Sequence, residues 1–352
     1  MTAAKRRAID RLRRDRRLQH KYEALGIALE RLQDDSGSGA AAEEIDDDVL
    51  RLIFVACHPT LSLEAQVALT LRLIGGLTTD EIAHAFLVPE ATVAQRIVRA
   101  KRTLTAARVP FEVPAAAALR ERLDAVLAVV YLIFNEGYSA TAGTSWTRPE
   151  LCAEALRLGR MLSELVPLEP EVHGLAALME IQASRLRARI GPGGEPVLLF
   201  DQDRTKWDAL LIRRGLVALE RAAKVGKGLG PYGIQAAIAA CHARARTPEE
   251  TDWAQIVALY DGLMQLQPSP IVELNRAIAV GMLSGPAAGL QLVESLAEVP
   301  SLQQYYLLPS VRGRFLEQLG RTGEARRELQ RAASLTKNIK ERDLLLKRAA
   351  EL

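Results

Sequence analysis

Aromatic residues are scarce in this 352-residue chain, at 5% of the total with only three tryptophans. Ala, Leu, Glu and Arg abound instead, a composition that favours helix over strand. Long apolar runs are missing too. The longest is Ala125 to Phe134, well short of the roughly 20 residues that a membrane span needs. No apolar stretch follows the basic N-terminus, so a secretory signal is not expected. Cysteine is sparse: Cys57, Cys152 and Cys241 lie far apart and form neither a CxxC pair nor an even disulfide framework. These absences argue against a membrane-spanning or disulfide-stapled protein and favour a soluble, reduced, cytoplasmic one. Catalytic signatures are lacking as well. There is no phosphate-binding G-x-x-x-x-G-K-[ST] loop and no Ser-His-Asp grouping, and neither His58 nor His242 has partners at zinc spacing. The reading is therefore no enzyme, no catalytic residue, no metal and no cofactor.

What is present is a segregated charge pattern. The net charge of +3 conceals a strongly basic stretch over 1–20, an acidic one over 21–63 and a basic one again over 64–110. Such blocks point to distinct functional segments. Residues 5–17, KRRAIDRLRRDRR, have a short apolar stripe (Ala8, Ile9, Leu12) on an otherwise basic helix. Residues 33–48 are acidic and rich in Ser, Gly and Ala, as in a flexible linker. The expected organisation is a basic helix end over 1–20, a linker over 21–47, a small helical domain over 48–109 and a large helical domain over 110–352. A cut near Pro110 and Pro114 is expected to do the least harm, because these prolines interrupt helix.

From Val49 the pattern is helical. Val49, Leu52, Ile53 and Ala56 share one face, and His58-Pro59 ends that helix. Ser62 can cap a second helix whose stripe is Leu63, Val67, Leu71 and Ile74, stopped by Gly75-Gly76. Thr78 followed by Glu81 forms a capping box, which starts a third, short helix. Pro89 suits the first position of a fourth, with Glu90 at its positive end. In this fourth helix Val93, Ile97, Ala100 and Leu104 must pack inward, and Thr92, Gln95, Arg96 and Arg99 share the opposite face. From Ala91 to Arg108 there are five basic residues and no acidic one. Two short helices, a tight turn and a polar-basic outer face describe a helix-turn-helix, whose second helix can enter a major groove. An ordinary helical hairpin with a solvated Arg face is the alternative.

Residues 76–104, GLTTDEIAHAFLVPEATVAQRIVRAKRTL, resemble region 4 of extracytoplasmic-function sigma factors, where GLS-x-x-EIA-x-x-LGVPEGTVKSR-x-x-RAR is usual. Leu77, Glu81, Ile82, Ala83, Val88, Pro89, Glu90, Thr92, Val93, Arg96, Arg99 and Ala100 fall on matching positions. Phe86-Leu87 and Ala91 depart from the pattern. Residues 7–17 resemble the end of region 2 of the same family. Most of region 2 would precede them, so the chain looks N-terminally truncated. The resemblance implies a transcription-initiation factor with promoter DNA and core RNA polymerase as partners. Its fourth helix would bind the upstream (−35) promoter element, with Gln95, Arg96 and Arg99 reading bases. Thr92, Lys101 and Arg102 would contact phosphates, and Arg7, Arg11, Arg13 and Arg14 would be DNA contacts of the region-2 remnant.

Residues 111–352 are far longer than a minimal sigma factor needs, and resemble the tetratricopeptide-like extension of one group of that family. Ile256, Tyr260, Leu263 and Pro268 have the spacing of a tetratricopeptide second helix. Ala288, Leu292, Ser295 and Pro300 repeat it, and Ala325, Leu329 and Ala332 repeat it again. The fold class expected is all-α: a helix-turn-helix region 4 followed by a large helical, tetratricopeptide-like domain. Helices are expected over 117–134, 148–166 and 171–189, broken by FNEGYSA (134–140), DQDRTKWD (201–208) and GPYGIQAAIAACHA (230–243). In these motifs Asp201, Asp203 and Asp208 suggest helix caps more than a cation site, and Asn135, Glu136 and Tyr138 suggest interhelical hydrogen bonds more than a pocket. The extension's partner, a regulatory protein or a small ligand, stays open. The alternative function is an interaction module built on the extension, with vestigial DNA binding.

Overall fold

The computed structural model describes residues 48–74, 76–85, 88–109 and 116–352. The expected region-2 remnant and linker, with Arg7, Arg11, Arg13 and Arg14, lie outside the described residues. Among the described residues the regular structure is fifteen α-helices, a few 3-10 turns and one parallel pair of two-residue strands. The fold is all-α. The chain forms two compact units that divide between Val129 and Val130.

The first unit contains α1 (Asp48–Ala56), α2 (Leu63–Leu73), α3 (Thr79–Ala85), α4 (Glu90–Ala106) and the start of α5 (Ala116–Tyr138). Helix α1 is buried nearly all round, through Leu50, Leu52, Ile53, Phe54 and Val55. The turn after it is pinned by a buried glutamine, whose Nε2 donates to the carbonyls of His58 and Leu61. Ser62 caps α2 as expected, its side chain accepting from the amide of Ala65. Of the expected α2 stripe, Val67, Leu71 and Ile74 are buried and Leu63 is not; it sits in the first turn, ahead of the packed face. The division inside α5 has a physical basis. Arg122 Nη1 donates to the carbonyl of Phe54, 3.0 Å away, and Leu119, Leu123 and Val126 are buried. The first unit thus draws on helix that follows Pro110 and Pro114.

The second unit continues from α5 through α6 (Pro149–Leu165), α7 (Pro170–Ala183), α8 (Ala209–Val225), α9 (Pro231–Arg244), α10 (Trp253–Leu266), α11 (Pro270–Ser284), α12 (Pro286–Ser295), α13 (Leu307–Gln318), α14 (Thr322–Leu335) and α15 (Ile339–Glu351). Successive helices pack on one another from α6 to α15, and α9 also packs on α7. Strand β1 (Ala142–Gly143) pairs in parallel with β2 (Lys337–Asn338), so the last helix hairpin is tied back to the start of the unit.

Several motifs read as helix breaks are helix or helix contacts. Helix α5 runs through Asn135, Glu136 and Gly137 to Tyr138. A Cβ on Gly137 would lie 2.6 Å from the amide nitrogen of Cys152, so this glycine admits α6. The motif at 230–243 is α9 itself, with Pro231 at its start. Its first amides are capped by a carboxylate from α7, since Glu171 accepts from Tyr232 and Gly233. A Cβ on Gly174 would meet the amide nitrogen of Gly233 at 2.7 Å, so this glycine lets α7 and α9 cross closely. The helix expected over 171–189 stops at Ala183 and gives way to turns. In the motif at 201–208, Asp203 caps a 3-10 turn and Asp208 caps α8, while Arg204 donates to the carbonyls of His242 and Ala245.

The repeat spacing falls on α10, α12 and α14, each followed by a partner helix. Ile256 and Leu263 are buried, as are Ala325, Leu329 and Ala332. In α12 the buried set is Gly289, Leu290 and Val293, one residue off the expected Ala288 and Leu292. Phe315 of α13 sets this register. A Cβ on Gly281 or Gly289 would come within 2.5 Å of its ring, so both glycines must face that ring.

Candidate nucleic-acid interface

The turn before α3 is built from three local devices. Gly76 has φ +64° and open space around its Cα, so its need for glycine is conformational and not steric. Leu77 then folds back, 1% exposed, with its amide on the carbonyl of Leu71 and its carbonyl held by Arg72 Nη1 at 2.9 Å. The capping box follows as expected: the Thr78 amide donates to Glu81 Oε2 at 2.7 Å, and the Glu81 amide donates to Thr78 Oγ1 at 3.1 Å. Two first-turn donors of α3 are thereby satisfied.

Helix α4 starts one residue later than expected. Pro89 is its N-cap, with φ −61° and ψ 143°, and its carbonyl accepts from Thr92 and Val93. Its ring still supplies a preset φ at a position without an amide partner. The helix ends in a left-handed residue that is not glycine, Arg108 at φ 47°. The amide of Val109 returns to the carbonyl of Leu104, and the buried Val109 side chain closes the cap.

The inward face is Val93, Ile97 and Ala100, all buried, with Leu104 half-buried near the end. Helix α4 packs through it on both α2 and α3, which excludes an isolated hairpin and makes the unit a helix-turn-helix. Gln95, Arg99, Lys101 and Arg102 are exposed, and Thr92 and Arg96 are half-buried. Arg96 therefore leans toward the protein. Its charge reaches Glu64 in the first turn of α2, whose carboxyl lies below its usual range through a backbone hydrogen bond first, Ser62 second and Arg96 last. Sequence patterning missed this neighbour, because the two residues are 32 positions apart. It also missed Val98, which is 48% exposed on α4 and adds apolar surface of the kind that meets a thymine methyl. Among the described residues no three His, Cys, Asp or Glu side chains are grouped to hold a metal, and no helix is long and apolar enough to cross a membrane.

Two segments of the chain match known families. Residues 51–104 match the family described as Sigma-70, region 4, so the helix-turn-helix is a sigma-70 region 4 domain. Residues 122–223 match a family of unknown function, DUF6596. An uncharacterized protein of Rhizobium meliloti (strain 1021) is 50% identical over 295 residues, which are 84% of this chain and 69% of that protein. No solved structure matches.

Proposed function

We propose, from the premise that the chain belongs to one family with that Rhizobium meliloti protein and carries a sigma-70 region 4 domain, that it is a sigma factor. It binds the −35 promoter element through α4 and recruits core RNA polymerase in the cytoplasm. The helical extension, of tetratricopeptide-like type, regulates that activity. The finer assignment is to the extracytoplasmic-function group. The observation that carries the reading is the exposed side of α4. Arg99, Lys101 and Arg102 are exposed there, with no acidic residue between Ala91 and Arg108. Cations so placed release condensed counterions from DNA, and Gln and Arg side chains can bond base edges in the major groove.

The roles separate by the measurement that detects them. Gln95, Arg96 and Arg99 read bases in this proposal, and Thr92, Lys101 and Arg102 fix the register on phosphates. Arg96→Ala is expected to weaken specific promoter binding by about 1–3 kcal/mol and to relax preference at one position of the element. Footprinting with a panel of altered −35 sequences checks it, and an unchanged preference removes Arg96 from the reading surface.

Lys101→Gln and Arg102→Gln are each expected to weaken binding to all sequences alike. Each should also flatten the plot of log affinity against log salt by about one unit of slope. A change of base preference in either variant would overturn the phosphate assignment. The whole reading is tested by pull-down of core RNA polymerase and run-off transcription with the full chain. No polymerase capture and no promoter footprint would leave the interaction-module function in its place.

A further inference from the structure

The second unit contains a cluster of three arginines, Arg185 and Arg189 buried and Arg204 half-buried. Arg185 and Arg189 lie one helical turn apart on the irregular stretch after α7, each only 9% exposed. Arg185 donates to the hydroxyl of Tyr138 through Nε and Nη2. Arg189 donates from Nη2 to the Tyr138 carbonyl. Its guanidinium lies over the Tyr138 ring at 3.8 Å and near that of Trp146 at 5.3 Å. Arg185 and Arg204 both lie over Trp207, at 5.6 and 4.8 Å. Among the described residues no carboxylate is within ion-pair distance of any of the three arginines. The carboxylate charges that reach the cluster are Glu341 at Arg189 and Glu249 and Glu250 at Arg204, and the Glu341 oxygens are engaged by Thr336 and Tyr306.

Unused donors mark the same residues. The Nε atoms of Arg189 and Arg204 and the indole nitrogens of Trp146 and Trp207 are buried without an acceptor. All four are donors only, and a donor-only set is satisfied by an oxyanion. Burying a guanidinium without a counter-charge is unfavourable, and its planar fork matches carboxylate and phosphate. The surrounding field is positive. His242 is pushed down to about 4, by burial first and then by Arg185 and Arg204. The Tyr138 hydroxyl lies below its usual value because the two arginines outweigh its burial.

We infer that Tyr138, Trp146, Arg185, Arg189, Arg204 and Trp207 form a binding site for a small oxyanion, a carboxylate or a phosphate monoester. The guanidiniums and indole N–H groups hold the anion, and the rings hold the guanidiniums through cation–π contact. The site goes beyond the sigma-factor reading and does not depend on it. It makes the extension a small-anion receptor, and its residues span the start of the unit that the strand pair ties to the last hairpin.

The chain carries its own reporter. Trp146 and Trp207 belong to the site, and the remaining tryptophan, Trp253, lies 5.3 Å from the His242 ring. Titration of the full chain with inorganic phosphate, AMP or benzoate, at ionic strength matched with chloride, is followed by tryptophan fluorescence and thermal melting. At least one probe is expected to give a saturable fluorescence change and a raised Tm. A response to phosphate and AMP assigns the phosphate class, and a response to benzoate the carboxylate class. Arg185→Gln and Arg189→Gln should each weaken the response about tenfold or more, as for loss of a charged hydrogen-bond donor. Trp207→Phe keeps the ring and deletes the N–H, and should weaken it about threefold. Arg213→Gln, on the exposed side of α8, should leave it unchanged. The inference is overturned if no probe exceeds chloride. It is equally overturned if folded Arg189→Gln and Trp207→Phe variants bind as tightly as the parent, which would make the cluster a packing device. Circular dichroism establishes folding, and Trp207→Phe keeps the test open should an arginine variant fail to fold.

Discussion

Replacing Asn338 by alanine is expected to lower the unfolding free energy of the second unit by about 3 kcal/mol. The residue is 1% exposed and does three things at once. Its Nδ2 donates to the carbonyls of Ala140 and Ser145, at 3.0 and 2.9 Å. Its Oδ1 accepts from the amide of Glu341 at 3.3 Å and so caps α15. Its backbone lies in the β1–β2 pair, opposite Gly143. The truncation strands the buried Ala140 carbonyl, at a cost of about 1–3 kcal/mol, and removes a cap worth about 1 kcal/mol. Asn338→Asp keeps the cap but loses the donor and sets a carboxylate against two carbonyls, so it is expected to be at least as damaging above pH 5. Urea denaturation followed by circular dichroism measures both. A loss under about 0.5 kcal/mol, the range of ordinary surface substitutions, would show that the strand pair closes without this side chain.

The second large effect concerns pH and lies at the neighbouring cap position. Burial pushes the Glu341 carboxyl up from 4.5 to about 7, against smaller opposing contributions from hydrogen bonds with Tyr306 and Thr336 and from the Arg189 charge. The folded state therefore binds this proton more tightly than the unfolded state does. The stability it contributes is complete below pH 4.5 and is lost as pH rises toward and through 7. The difference between 4.5 and about 7 corresponds to about 3 kcal/mol as an upper figure. Glu341→Gln, neutral at every pH, is expected to match the parent at pH 5 and to exceed it by about 2 kcal/mol at pH 8. His242 works in the other direction. Its value is lowered to about 4, so its contribution to stability is lost as pH falls from 6.5 toward 4. It is present in both proteins and cancels in the comparison. Melting curves of parent and variant between pH 5 and 8 decide the matter, and parallel curves would mean that Glu341 stays ionised in the fold.

The helix-turn-helix was legible because its signals are local. Thr78 and Glu81 are three residues apart and find each other within one turn. Gly76 answers a requirement of its own φ, and the period of Val93, Ile97 and Ala100 is a property of one helix. The exposed or half-exposed position of Gln95, Arg99 and Arg96 follows from the same period. What could not be read was which partner a residue meets. A glycine in sequence signals a break, a left-handed turn or a close helix crossing, and these differ only in what lies opposite. Gly76 is the second kind, whereas Gly137, Gly174 and Gly289 are the third.

The anion-binding cluster was hidden for the same reason. Arg185 and Arg189 lie within the helix expected over 171–189, whose pattern names no partner for them. The turn after Ala183 redirects them into the company of Tyr138, Trp146 and Trp207. Asn338 is the extreme case, bonded to residues 198 and 193 positions away. The amino-acid sequence alone determined that the chain is helical, where α4 starts to within one residue, and which of its sides carries the charge, because hydrophobic period and end-capping act within a turn or two. Only the tertiary structure decided where the extension closes on itself and which of its cations lie buried. Those outcomes depend on contacts between segments whose separation along the chain leaves no periodic trace.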